Sequence, residues 1–222
     1  MDNRNRPDLR AYIGSTGSGK GVSVREHLKA LKPDRFVAWD PLSEYGEFGR
    51  VVRTIPELCA ALKAERFAVC FNPGPDVDQY AAKFDLVCRA VFAAGRCTFL
   101  VEELSQVTRA SWAPQAWRQI TKRGRHQGLR VIGCTQRPAD SDKDFLSGVT
   151  YVRCFGLRWK SDRQVMAEVL DVSLSEVSAL ATVESETAGH IVTTINCWER
   201  DFRTGQSGKK TMVLRTKKDA AT

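Results

Sequence analysis

A glycine-rich stretch near the start of the chain places the strongest constraint on the fold. Gly14-Ser-Thr-Gly-Ser-Gly-Lys20 fits the pattern G-x-x-x-x-G-K and lies between a strand candidate, Arg10–Ile13, and a helix candidate, Lys20–Leu31. In that setting glycines let successive N–H groups surround phosphate oxygens, and the lysine reaches the terminal phosphates. The alternative is a Gly/Ser turn with a solvated lysine.

The pattern thus predicts a loop that binds ATP. One position departs from the usual sequence of such loops. The residues that we expect at the nucleotide are Gly14, Ser15, Thr16, Gly17, Ser18, Gly19, Lys20, Gly21 and Val22. A hydroxyl residue normally follows the lysine and ligates Mg²⁺, but this chain has Gly21 there. Water, Ser23 or another oxygen would have to fill that metal position.

Short β-branched or aromatic runs alternate with amphipathic stretches of helical length along the rest of the chain. The predicted strands are Arg35–Asp40, Arg66–Asn72, Cys97–Glu102, Leu129–Thr135, Tyr151–Leu157 and Ala188–Ile195. The predicted helices are Ile55–Glu65, Val77–Ala94, Gln115–Arg123, Asp162–Leu170 and Leu174–Leu180. Such alternation predicts an α/β fold, a mostly parallel sheet with helices on both faces and ligands at the carboxyl ends of its strands.

Composition favours one globular domain inside a cell. A hydrophobic fraction of 42% is too high for intrinsic disorder. No apolar run is long enough to span a bilayer, and the polar start lacks a secretory signal, so we expect a soluble protein without a membrane span. The seven cysteines are widely spaced without a C-x-x-C, which favours reduced core residues over disulfides or zinc.

The net charge of +8 points to a polyanionic partner and is concentrated in two segments. Residues 104–130 carry six basic residues and no acid, and residues 199–222 carry seven basic residues and three acids. We therefore predict a single domain over residues 1–198, which contains the phosphate-binding loop, and a basic, partly mobile segment over residues 199–222.

Both basic segments hold candidate DNA contacts, which are Arg109, Arg118, Lys122, Lys209 and Lys210. Trp112 and Trp117 lie in the first segment, where bases could stack on them, or they pack in the core or at a subunit interface. The basic end of the chain would contact DNA, a capsid or solvent.

Two adjacent acids, Glu102 and Glu103, end an apolar strand. Behind a phosphate-binding loop, the first such acid holds Mg²⁺ through water and the second polarises the attacking water. The alternative is a solvated strand end.

With these motifs the chain resembles the FtsK/HerA superfamily of hexameric DNA-pumping ATPases. The resemblance covers residues 11 to about 170, with the motifs in family order. Besides the loop and the acid pair, these are Trp39-Asp-Pro-Leu-Ser-Glu-Tyr45, Lys122-Arg-Gly-Arg-His-Gln-Gly128, Thr135-Gln-Arg-Pro138 and Ser161-Asp-Arg-Gln-Val.

The resemblance implies a RecA-like (ASCE) P-loop NTPase and further roles. Gln136 would bond the γ-phosphate and the attacking water, or cap a loop. Arg123 and Arg125 match the region that supplies arginine fingers to a neighbouring subunit, or they are a solvated helix end. Asp40 would orient Mg²⁺ or water, or cap a loop. Most relatives have Asp at the position of Glu102, whose extra methylene would shift a metal-bound water.

A motor of this size is most similar to the ATPases that package viral genomes. The resemblance therefore implies an ATP- and Mg²⁺-dependent translocase of double-stranded DNA. It would form a ring, expected to be a hexamer, with capsid or portal-vertex proteins as further partners in the host cytoplasm or at a virion vertex. The alternatives are a nucleotide-switched phage assembly or secretion factor, similar to zonula occludens toxin, that does not pump DNA, and a non-motor DNA-binding protein.

Overall fold

A computed structural model describes residues 7–187 and 189–217, and over these residues the chain forms ten strands and seven α-helices. The strands are β1 (Asp8–Ile13), β2 (Arg35–Trp39), β3 (Arg50–Val52), β4 (Phe67–Phe71), β5 (Thr98–Val101), β6 (Arg130–Thr135), β7 (Tyr151–Cys154), β8 (Thr182–Thr187), β9 (His190–Asp201) and β10 (Gln206–Lys217). The helices are α1 (Lys20–Leu31), α2 (Ile55–Ala61), α3 (Tyr80–Ala94), α4 (Gln115–Arg123), α5 (Lys143–Gly148), α6 (Lys160–Leu170) and α7 (Leu174–Ser178).

All ten strands form one sheet in the order β10-β9-β7-β1-β6-β5-β2-β4-β3, with β8 paired to β9. Strands β1 to β7 run parallel, whereas β8, β9 and β10 are antiparallel to their neighbours. The predicted mostly parallel α/β sheet is confirmed. Because Ile13 pairs with Thr135 and Val101 pairs with Gly133 and Trp39, the carboxyl ends of β1, β6, β5 and β2 lie side by side. The residues that follow these four strands therefore meet at one edge.

Each face of the sheet carries its own apolar core, because successive side chains on a strand point to opposite faces. On β2, Phe36 and Ala38 join the core under α1, while Val37 and Trp39 join the larger core under the other helices. The larger core is built around aromatic rings whose centroids lie 5.1–6.4 Å apart. These rings are Trp39, Phe84, Phe99, Trp117 and Phe145.

Trp117 belongs to this core and is not a surface for bases. Its ring is fully buried, and its indole N–H donates to Asp142 Oδ2 at 2.9 Å. The stacking role considered for Trp117 is therefore wrong, and its packing role is confirmed. Trp112 differs, because 51% of its surface is exposed.

Helices α1 and α4 begin and end where the sequence predicts. The sequence pattern does not predict β3, α5, β8 or β10, and it ends β9 at Ile195 instead of Asp201. The predicted boundary at residue 198 falls inside β9, and β10 pairs along the whole length of β9. Residues 199–217 are therefore part of the sheet, and residues 218–222 of the predicted basic segment lie outside the described residues.

Among the helices of residues 7–187 and 189–217, none is long and apolar enough to span a membrane. The seven cysteines are free thiols; Cys59 is exposed and the other six are buried.

Candidate active site

The glycine-rich loop joins β1 to α1 at the carboxyl edge of the sheet. Gly14 N–H donates to Thr135 O at 3.1 Å and Ser15 N–H donates to Gly156 O at 3.0 Å, which ties the loop to the ends of two neighbouring strands. Gly19 has φ 94°, and a Cβ atom there would lie 2.7 Å from Ile195 Cδ1. Only glycine fits at this position, because both its backbone and its neighbour on β9 exclude a side chain.

The start of α1 presents free N–H groups beside this loop. Gly19 precedes the helix and offers no side-chain cap. The first N–H groups of a helix lack acceptors within it and carry positive potential, which together favour a phosphate group. They open onto a cleft of about 450 Å³ that is also lined by Glu102, Glu103 and Gln136.

Lys20 and Glu102 form a buried ion pair in this cleft. Lys20 Nζ donates to Glu102 Oε1, and both side chains are more than nine-tenths buried. Burial alone lowers the pKa of Lys20, but the adjacent Glu102 carboxylate outweighs burial and raises that pKa above its ordinary value. Lys20 is therefore a cation held at the bottom of the cleft, next to the acid predicted to bind metal.

Glu103 is held on the neighbouring side of the same cleft. Its backbone has φ 55°, a left-handed conformation that is strained for a side chain other than glycine and recurs at active sites. Glu103 Oε1 accepts from Ser105 Oγ at 2.7 Å, from Thr135 Oγ1 at 2.8 Å and from Gln136 N–H at 3.2 Å. Three donors thus fix this carboxylate between the ends of β5 and β6.

Gln136 connects Glu103 to the glycine-rich loop. Its backbone N–H donates to Glu103, while its side-chain Oε1 accepts from Thr16 N–H at 3.2 Å and from Thr16 Oγ1 at 2.7 Å. The side chain therefore reaches across the cleft. The contact with the Thr16 N–H is what a loop cap would make, and the phosphate-sensing role stays a prediction.

Asp40 acts as a loop cap in this structure. It is almost fully buried, Oδ1 accepts from Glu44 N–H at 2.8 Å, and Oδ2 accepts from Tyr45 N–H at 2.9 Å. Asp40 does not line the cleft, unlike the two glutamates. Both oxygens accept from the backbone of its own loop, as the capping alternative requires, and the role of Asp40 at the metal or its water stays a prediction.

Ser23, one candidate for the missing hydroxyl after Lys20, contacts the sheet. It is buried, and its Oγ accepts from Arg153 Nη1, which belongs to β7. The same guanidinium pairs with Glu199 on β9 and donates to Tyr151 OH at 3.1 Å. Ser23 therefore anchors α1 to the sheet.

Arg123 and Arg125 lie away from the cleft of their own chain. Arg123 ends α4, and Arg125 follows in the turn that leads into the amino end of β6. Arg125 lines a different cleft, of about 270 Å³, together with Asp8 and Leu9 at the start of β1. Both arginines are exposed and lie towards the opposite edge of the sheet.

The predicted DNA contacts are surface residues on three elements. Arg109 and Arg118 are exposed near Trp112, and Arg109 Nη1 donates to two carbonyls of its own loop. Lys122 pairs with Asp144 at 3.0 Å. Lys209 and Lys210 are exposed on β10, with Lys209 Nζ 5.9 Å from the centre of the Trp198 ring.

One wall of the cleft consists of residues that sequence reasoning missed. They are Glu184 on β8, Thr193 and Ile195 on β9, and Leu214 on β10. No signal marked them, because two of these strands were not predicted. Arg25 of α1 also lines the cleft, one helical turn after Gly21.

The cleft fits a nucleotide with a magnesium ion. Free N–H groups and Lys20 suit phosphates, and Glu102 and Glu103 supply hard oxygen ligands. Among the described residues, no three His, Cys, Asp or Glu side chains cluster as a metal site. Mg²⁺ usually needs only one or two carboxylates together with substrate phosphates, so this donor set fits.

No family model matches the chain. It is 28% identical over 207 residues to Protein P9 of Pseudoalteromonas phage PM2, which covers 91% of this chain and 89% of the phage protein. Its structure is similar to genome packaging NTPase B204 of Sulfolobus turreted icosahedral virus 2. The B204 complex with ATP-gammaS matches with a TM-score of 0.67 and 16% identity, and the match covers 96% of this chain and 100% of B204. The B204 complex with AMPPCP matches with a TM-score of 0.69 and 18% identity, and the match covers 93% of this chain and 98% of B204.

These structural likenesses show the fold, which is that of a P-loop NTPase. The predicted resemblance to viral packaging ATPases is confirmed by the similarity to B204, and the curated relative is a phage protein.

Proposed function

We propose that this chain hydrolyses ATP to move double-stranded DNA, and that it packages a viral genome into a capsid as a ring of identical subunits. The observation that carries the proposal is that Lys20, Glu102, Glu103 and Gln136 line one cleft at the start of α1. The similarity of this chain to Protein P9 of a phage and to the genome packaging NTPase B204 supports a packaging role.

Each side chain has a role that its geometry permits. The loop N–H groups and Lys20 bind the β- and γ-phosphates. Glu103 accepts a proton from the attacking water, and Gln136, already in contact with both Glu103 and Thr16, senses the γ-phosphate. Glu102 would hold Mg²⁺, which when bound neutralises charge on the phosphates.

The assembly and its surroundings follow from the same proposal. A ring, expected to be a hexamer, would bring an arginine of one subunit to the cleft of the next. Capsid or portal-vertex proteins would hold the ring at a packaging vertex, and the host cytoplasm is where it would act.

DNA stimulation of ATPase activity tests the motor directly. We expect duplex DNA to raise the ATPase rate several-fold at low salt and to lose this effect as salt rises, because phosphate contacts release counterions. Arg118→Ser should weaken the DNA response and reduce the salt slope by about 1, as expected for one lost phosphate contact. Lys63→Ser removes an equal charge from an exposed position of the loop after α2 and should leave the response unchanged.

The second candidate is a nucleotide-switched assembly or secretion factor that does not pump DNA. Gly21 favours it, because a weakened metal site lowers hydrolysis more than binding. An ATPase rate that duplex DNA leaves unchanged at every salt concentration would favour this candidate over the motor.

Replacing Ser23 distinguishes a role of its hydroxyl in metal binding from a role in anchoring α1 to the sheet. We expect Ser23→Ala to leave the Mg²⁺ dependence of ATPase activity unchanged and to lower the free energy of unfolding by about 1–3 kcal/mol, because a buried donor of Arg153 loses its partner. Urea unfolding and a Mg²⁺ titration measure the two effects. Ser178→Ala, at an exposed serine of α7, is the control. A higher Mg²⁺ requirement with unchanged stability would instead make Ser23 the metal oxygen.

A further inference from the structure

The segment between β2 and β3 contains a tyrosine that contacts the acid proposed to bind the metal. Tyr45 is fully buried, and its hydroxyl donates to Glu102 Oε2 at 2.9 Å. A tyrosine hydroxyl carries one proton, whereas an ionised carboxylate only accepts, so Tyr45 is the donor in this contact.

The position of Tyr45 is fixed from three sides. Its N–H donates to Asp40 Oδ2 at 2.9 Å, its carbonyl accepts from Cys70 Sγ at 3.1 Å, and the Arg25 guanidinium lies 5.5 Å from its ring centre. Asp40 thus caps a loop in which Tyr45 contacts Glu102, the residue that follows β5. By capping this loop, Asp40 also holds Tyr45 in place beside Glu102.

Glu102 uses its two oxygens for two different partners. Oε1 accepts from Lys20 and Oε2 accepts from Tyr45. Phosphates of a bound nucleotide would compete for Lys20, because Lys20 is the cation of the glycine-rich loop. Without Lys20, the buried carboxylate retains Tyr45 as its fixed donor. A glutamate has one more rotatable bond than an aspartate, so its orientation depends more on such a contact.

We propose that Tyr45, held by Asp40, is a positioning residue that keeps the Glu102 carboxylate oriented towards the metal site while Lys20 turns to the phosphates. The proposal rests on the proposed ATPase function and adds the residue that prepares its metal site. It also explains why a glutamate can serve at this position, since the hydroxyl of Tyr45 restricts the longer side chain.

Tyr45→Phe removes only the hydroxyl and therefore tests the contact itself. We expect kcat to fall about 10-fold, as for a catalytic group left loosely placed, with the KM for ATP changed less than about threefold. The Mg²⁺ concentration for half-maximal activity should rise several-fold. Binding of AMPPCP, measured by calorimetry, should weaken several-fold with Mg²⁺ present and stay unchanged without it.

Tyr80→Phe is the matched control for stability. Tyr80 is also buried and donates its hydroxyl to a backbone carbonyl, Gly74 O, at 2.9 Å, and it does not line the cleft. Its loss should leave the Mg²⁺ dependence unchanged. An unchanged Mg²⁺ dependence in Tyr45→Phe, or an equal change in both variants, would overturn the proposal. If the parent chain binds AMPPCP without hydrolysing ATP, the proposed function fails, while the Mg²⁺ effect on binding still decides the role of Tyr45.

Discussion

Replacing Glu103 with Gln is expected to abolish ATP turnover and to leave ATP binding intact. Glutamine keeps the length and shape of glutamate, but it cannot accept a proton from an attacking water. Loss of a general base lowers the rate of a chemical step by about 10²–10⁴-fold. Single-turnover hydrolysis, measured beside the binding of AMPPCP, separates the loss of chemistry from any loss of affinity.

Binding should survive because the contacts of Glu103 can be kept by an amide. Thr135 Oγ1 and Gln136 N–H both donate to Glu103 Oε1, and a glutamine carbonyl oxygen can accept from both. Gln136 therefore keeps its place beside Thr16. Lys20 is paired with Glu102, so the substitution leaves the charge partner of the lysine in place.

Glu44→Gln is the control for the loss of one negative charge from the cleft. Glu44 lines the same cleft but is exposed and has no predicted role in the chemistry. Its turnover should stay within about threefold of the parent, as surface substitutions remote from the reacting groups usually do. Turnover that persists in Glu103→Gln would show that another group activates water.

The sequence could predict the parallel half of the sheet because its strands are buried on both faces. Such strands are continuous apolar runs, as in Cys97–Glu102, and the helices between them have apolar residues at helical spacing. Because the carboxyl ends of neighbouring parallel strands meet at one edge of the sheet, motif residues at those ends are expected to lie close together. For this reason the sequence alone is enough to assign Lys20, Glu102, Glu103 and Gln136 to one site.

The antiparallel half could not be predicted because its side chains carry no comparable pattern. Gln206–Lys217 contains several lysines and threonines, and most of its described side chains are exposed on the outer strand of the sheet. Thr182–Thr187 has glutamates in a mostly exposed strand. Both strands pair with β9, their neighbour along the chain, and their exposed side chains leave no apolar pattern that would mark them as strands.

The roles of Asp40 and Ser23 could not be separated from sequence for a different reason. Both residue types bind metals and both cap loops or anchor helices, so spacing alone leaves the alternatives open. Only the folded structure shows their contacts, and Arg153, the partner of Ser23, is 130 residues away along the chain.

Replacing Arg123 or Arg125 is expected to cause the second large loss of ATP turnover. The loss depends on the neighbouring subunit, whose cleft the arginine would complete. An arginine finger contributes about 10³–10⁵-fold to phosphoryl transfer. Both arginines are exposed and lie away from the cleft of their own chain, whose phosphate-binding cation is Lys20. We therefore expect that Arg123→Ala or Arg125→Ala lowers turnover by at least about 10³-fold while ATP binding is kept. The other arginine is the matched control, since it is two residues away and is also exposed.

Mixing two inactive variants then tests whether the arginine acts on another subunit. Lys20→Ala removes the nucleotide site but keeps both arginines, whereas the inactive arginine variant keeps its nucleotide site. In a ring with head-to-tail contacts, an equal mixture places an intact site next to an intact arginine at about one interface in four, so about a quarter of the parental rate should return. Because neither variant can be active alone, recovered activity must come from contacts between subunits. A mixture that stays inactive while native mass measurement shows mixed rings, or full activity in both arginine variants, would contradict the shared site.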